Sequence, residues 1–209
     1  MAIDELLDEH EQSERVREWL RRNGSALIFG IALGLAAIGG WQWWQRHQAD
    51  QQSRAAGAYQ ATIDAIQADD KTATGKIQAL PEGIFRTLAQ LELAKSQVQG
   101  DQGEAAIATL RAIRTTDPAL AAIVNHRLAR VLIDTKQAEA ALRLVATGDS
   151  LATLEVRGDA QLALGQRDQA RDSYNKALLK AEVGTPQRRL LELKLTEAGG
   201  TPPKTESQS

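Results

Sequence analysis

The chain has 209 residues, 25% of them charged and only 4% aromatic, with 25 Lys and Arg against 27 Asp and Glu. A core poor in aromatics and rich in Ala and Leu suits packed helices better than a β-sandwich, and the lack of a long basic block argues against nucleic acid as a partner. Cysteine is absent, which excludes disulfides, thiol catalysis and a lipidated Cys.

Residues 1–22 form a short tail with seven acids and four arginines. Residues 23–45 then carry no charge. The run GSALIFGIALGLAAIGGWQWW, at about 1.5 Å per residue, reaches roughly 31 Å, the thickness of a bilayer's hydrocarbon core. Trp41, Trp43 and Trp44 crowd one end and Trp19 precedes the other. Indole rings favour the headgroup region, so these four are the expected interface anchors. A cleaved signal peptide fits less well: the leading region is long and net acidic, and bulky Trp41, Gln42 and Trp43 stand where a cleavage site belongs. The expectation is an uncleaved single-pass transmembrane helix. Arg15, Arg17, Arg21 and Arg22 precede it and only Arg46 and Arg54 follow closely, which predicts a cytoplasmic N-terminus and a domain on the far side, periplasmic in a Gram-negative cell. Within it Ala26, Gly30 and Gly34 fall four apart on one face, a strip on which another membrane helix packs closely.

Residues 46–198 read as an all-α domain. The helix continues out of the membrane through Ala55, Tyr59, Thr62, Ile63 and Ile66, broken at Asp69-Asp70, Thr74-Gly75 and Pro81-Glu82-Gly83. Beyond that the chain repeats. One unit holds Ala94, a turn at Gly100-Asp101, then Ala105-Ala106-Ile107; the next holds Ala129, a turn near Thr135-Lys136, then Ala140-Ala141-Leu142. A third reads Gly158, Gly165, Ala170, Tyr174 and Ala177. Helix, turn, helix at a period near 34 resembles the tetratricopeptide repeat. The third unit follows that pattern best, departing at Leu154 and Glu182, and the first two read as about one residue short. Neighbouring units must stack to bury their apolar faces, which predicts a short solenoid with a concave groove. Residues 183–198 make a final helix through Leu190, Leu191, Leu193 and Leu195, and 199–209, with Pro202-Pro203, read as a disordered tail.

No sequence motif offers chemistry. His10, His47 and His126 are too scattered for a metal site, and no phosphate loop or nucleophile elbow occurs. No cofactor, metal or catalysis is expected. In tetratricopeptide arrays the first helix of each unit lines the groove, and by that analogy Leu91, Lys95, His126, Arg130, Glu155 and Asp159 face it. Their mixed charge suits an extended or partly unfolded polypeptide.

The stretch Glu11-Gln12-Ser13-Glu14-Arg15-Val16-Arg17-Glu18-Trp19-Leu20, then Asn23-Gly24 and an anchor ending in Trp43-Trp44, resembles the ancillary subunit family of the bacterial Sec translocon, the YfgM type. That resemblance implies an inner-membrane anchor with a periplasmic tetratricopeptide-like domain. It also implies contact with the SecYEG channel and with a membrane-anchored periplasmic chaperone of the prolyl-isomerase type, and help for exported polypeptides as they emerge. The alternative from a different class is a scaffold whose groove recruits folded partners for envelope assembly or division.

Overall fold

The computed structural model describes the backbone of residues 2–203, and side chains from residue 14 to 203 except at 16 and 27. The far part of the expected tail, 204–209, and the histidine at position 10 lie outside the residues so described. Among the described residues every regular element is a helix. The chain divides into two compact units, one ending at Arg54 and one beginning at Ala55.

The first unit is helix throughout, part of α1 (Ala2–Gln67). Its uncharged stretch is long and apolar enough to cross a membrane, and nothing in the protein buries it. Large side chains such as Phe29, Leu33, Ile38 and Trp43 are bare. Apolar surface on this scale is stable only in an apolar surround.

The second unit begins with the last turns of α1 and continues through α2 (Ala73–Ala79), α3 (Ile84–Gln99), α4 (Gly103–Ala112), α5 (Pro118–Asp134), α6 (Ala138–Leu144), α7 (Leu151–Ala163), α8 (Arg167–Leu178) and α9 (Pro186–Glu197). Three core clusters succeed one another along the chain. Ile66, Ala73, Ile77 and Leu80 form the first. Leu91, Leu110, Leu128, Leu132 and Val156 lie in the second, and Leu154, Tyr174, Leu178, Leu191 and Leu195 in the third. Hairpin packs on hairpin, and each unit leans on its neighbours, as in a solenoid.

The first helix of every hairpin ends in the same way. Asp69, Asp101, Lys136, Gly165 and Gly199 adopt positive φ, between 51° and 85°. The next residue's N–H closes a six-residue loop back onto the helix: Asp70 to Ala65 O, Gln102 to Gln97 O, Gln137 to Leu132 O, Gln166 to Gln161 O and Gly200 to Leu195 O, all 2.7–2.9 Å. This is the Schellman arrangement, which satisfies carbonyls that the helix itself leaves unpaired. The turns at 101, 136 and 165 then deliver the chain into α4, α6 and α8, whose first turns carry an acid (Glu104, Glu139 or Asp168) at the positive end of the helix dipole. Helices α5, α7 and α9 are instead started by side-chain caps: Asp117 accepts from Ala119 and Leu120, Ser150 from Thr153, and Thr185 from Arg188.

These turns set a common register, and it corrects the sequence reading in three places. Counted from each turn, Ala94, Ala129 and Gly158 occupy one slot, and Ala106, Ala141 and Ala170 a second, all buried. All three units keep the same twelve-residue separation of these slots, so none is a residue short. The array also starts earlier than the repeats do by eye. The end of α1, with buried Thr62 in the same slot, pairs with the short α2 as an abbreviated hairpin. Finally, α9 begins at Pro186 rather than 183, because Gly184 sits at φ 82° and Pro186 fixes the first helical residue. Of its four leucines only Leu191 and Leu195, four apart, are buried; Leu193 remains 69% exposed.

Candidate functional site

The odd-numbered helices α3, α5, α7 and α9 supply one continuous face, and it gathers the candidate groove residues into two hollows. Helix α5 packs directly on α7, while between α3 and α5 a cleft of about 300 Å³ opens. Leu91, buried in the core, shows its edge at the floor, and Lys95 and Arg130 stand at the rim. Lys95 makes an exposed ion pair with Glu92 at 2.8 Å, within its own helix. Such a pair holds the ammonium only weakly.

The second hollow, about 510 Å³, lies where α5, α7, α8 and α9 meet, with Arg130 on one side and Asp159 and Tyr174 on the other. Among its charged side chains Arg130, Asp159 and Lys194 are each engaged with a partner. Lys194 of α9 donates to Glu155 and to Asp159, both at 2.8 Å. Arg130 approaches Glu155 at 3.8 Å and Gln187 donates to it at 3.4 Å. The Tyr174 hydroxyl donates to Asp159 at 2.8 Å. Glu155 is thus a buried carboxylate held by three donors or charges. Burial pushes its carboxyl up, but the Lys194 hydrogen bond and charge, with Arg130 and Gln187, bring it below the ordinary range. For Tyr174 burial and the Asp159 carboxylate act together and raise the phenol well above its usual value.

His126 sits beside this cluster. Its Nε2 lies 2.9 Å from Thr153 Oγ1, which in turn meets Ser150 Oγ at 2.8 Å. Burial, then the Arg130 charge, lower its pKa against the pull of Glu155, so the neutral imidazole is favoured. Of the six sequence candidates, then, Leu91, Lys95 and Arg130 meet at the first cleft, and Arg130 and Asp159 at the second, whose Lys194 holds the buried Glu155, with His126 close to Arg130 and Glu155. Lys194, the ion that organises the second hollow, is 39 residues from Glu155 and belongs to no motif. Arg127, at the rim of the first, was equally silent in the sequence. One turn upstream of Arg130 on a helix whose other face is core, it differs in sequence from no ordinary solvated arginine.

The Ser150 and Thr153 hydroxyls and the His126 imidazole form one hydrogen-bonded line, in which the serine caps a helix and the imidazole is tied to the threonine. Among the described residues no cluster of metal-ligating side chains occurs. The face presents an apolar floor and fixed charge of both signs.

In the first unit Ala26, Gly30 and Gly34 are bare on α1, and a methyl added to either glycine meets nothing. Trp41 and Trp44 lie with ring centres 5.4 Å apart, Trp43 stacks on His47, and Trp19 is exposed before the apolar stretch.

Comparison with known proteins follows the same outline. Residues 17–200 match the family described as tetratricopeptide repeat-like domain. A protein of Escherichia coli (strain K12) called ancillary SecYEG translocon subunit is 34% identical over 197 residues, covering 90% of this chain and 95% of its own. The protein of the same name from Haemophilus influenzae is 29% identical, covering 82% and 89%. A crystal structure of tetratricopeptide-like repeats from Podosopora anserina shares the fold, with a TM-score of 0.51 at 19% identity over 70% of this chain and 85% of that one.

Proposed function

The chain belongs to the family of ancillary SecYEG translocon subunits, and from that premise we propose that it is a non-catalytic, membrane-anchored chaperone or adaptor for exported polypeptides. The observation that carries the reading is the pairing of an unburied apolar helix with an array whose open face combines an apolar floor and mixed charge. An extended chain makes contacts of both kinds as it leaves a channel. The four arginines before the apolar stretch favour a cytoplasmic N-terminus and a periplasmic array, in the inner membrane. The anchor's Ala26, Gly30 and Gly34 strip gives a channel subunit, or a membrane-anchored chaperone of the prolyl-isomerase type, a close packing surface.

Photo-crosslinkers test this in intact membranes. Placed in the anchor they capture a translocon component or that chaperone, and Gly30→Ile with Gly34→Ile weakens the capture. Placed at 95 or 130 they capture exporting polypeptides, and only while export runs. An anchor that finds no translocon component, with a groove that holds one folded envelope protein regardless of export, establishes the scaffold instead.

A further inference from the structure

We propose that the cleft between α3 and α5 is an anchor pocket for one aliphatic side chain of an extended polypeptide, with an acidic side chain of the same segment seated on its cationic rim. The inference rests on the proposed role in binding polypeptides, and it names where and what.

The floor is aliphatic: Leu91, Val98, Leu110 and Val131 line it. Only Val98 among these is substantially exposed, at the mouth. A dry apolar cavity of about 150 Å³ accepts benzene, so about 300 Å³ suits one or two aliphatic side chains and little more. Three cations surround it: Lys95, Arg127 and Arg130. Lys95 and Arg130 have carboxylates nearby, but among the described residues Arg127 has no ion pair and no hydrogen bond through its side chain. An exposed guanidinium beside an apolar hollow is matched by a carboxylate next to an apolar side chain.

That carboxylate has two sources, an acidic side chain or a chain terminus, and the shape favours the first. The cleft does not end blindly. Val98, Val131 and Asp134 also line a second hollow of about 570 Å³, which runs on to the α3–α4 turn. Asp101, Glu104 and Asp134 make that stretch acidic. A trough that runs from one hollow into the next, rimmed by cations at one end and lined by acids at the other, lets an extended chain lie along it and sorts its charged side chains between the two ends. The best-fitting segment carries acid, then aliphatic, then base.

Fluorescence anisotropy with the full-length chain in nanodiscs tests this, using labelled synthetic dodecamers. A peptide with Leu between Glu residues, followed by Lys, is expected to bind about tenfold tighter than one with these charges exchanged. Replacing its Leu by Ser abolishes most of the binding. Arg127→Glu erases the charge preference, and Val98→Trp, at the exposed mouth, closes the pocket; circular dichroism melts confirm that both variants stay folded. Equal binding of the two charge patterns, or indifference to both substitutions, overturns the pocket. So does tighter binding of a peptide whose only carboxylate is its C-terminus. The same variants are assayed for slowing aggregation of an unfolded client. Client holding that persists while the peptides show no pocket dependence sinks the pocket and leaves the proposed function standing. Loss of both peptide binding and client holding in the unsubstituted chain sinks the two together.

Discussion

At Gly158 a methyl group would lie 2.4 Å from Tyr174 Cε1, closer than any relaxed contact. The other units have Ala129 and Ala94 in this slot, and smaller Val145 and Leu110 where the third has Tyr174. Glycine and tyrosine are therefore a matched pair. Gly158→Ala gains about 1 kcal/mol of helix propensity, yet overpacking costs about 1–3 kcal/mol, so the melting temperature falls. Adding Tyr174→Leu relieves the clash, and a double-mutant cycle by urea unfolding is expected to show favourable coupling. Acid acts on two other residues in turn. The folded chain disfavours protonated His126, and the unfolded chain takes that proton near its ordinary value, so stability declines as pH falls below about 6.5. Glu155 is held ionised below its ordinary range, so its contribution is full above about pH 4.5 and is lost as pH falls through the folded value. The urea midpoint followed against pH thus drops in two stages. His126→Asn removes the first stage, and Glu155→Gln shrinks the second.

Among the helices, the repeated turn makes a comparison that no single cap allows. Lys136 and Gly165 hold equivalent positions at φ 64° and 74°. A side chain there costs about 1 kcal/mol against glycine, so Lys136→Gly stabilises and Gly165→Lys destabilises by similar amounts. In a unit of this size each kilocalorie moves the melting temperature by about 2–4 °C. Ala170, fully buried in the second-helix slot, contrasts with its exposed neighbour Gln169. Ala170→Leu overpacks the α7–α8 contact and costs about 1–3 kcal/mol, while Gln169→Leu changes little; thermal melts of the purified protein decide. These elements were also where the sequence spoke most clearly. Ala94, Ala129, Ala170 and Tyr174 announce helix pairs because a close helix crossing accepts only certain sizes. The break at Asp69-Asp70 was visible, but the abbreviated α1–α2 hairpin was hidden, since Thr74-Gly75, read as a second break, lies inside α2, which is too short to show a period. In α9 all four leucines looked alike, because burial there depends on which face α8 covers.

For the whole chain, the proposed orientation predicts that protease added to spheroplasts digests everything beyond residue 45 and spares the first 22 residues; a fully protected array overturns it. The anchor was legible because a bilayer demands a long uncharged run, a constraint carried by consecutive residues. The groove was legible only in part. Leu91, Lys95 and Arg130 could be assigned to one face by repeat register, but Lys194 reaches Glu155 and Asp159 from 39 and 35 positions away, and nothing local foretells such a link. The succession of three separate cores also governs how the array bears load. Among the described residues no element ties its two ends together, so tension applied through residue 203 falls first on α9, held by its two buried leucines and by the Lys194 ion pairs to Glu155 and Asp159 of α7. Stretched in an optical trap from that end, the array is expected to yield in steps, α9 first and reversibly. The α3–α5 cleft should keep its grip until the last steps, so a tugged occupant and a peeling C-terminus need not fail together.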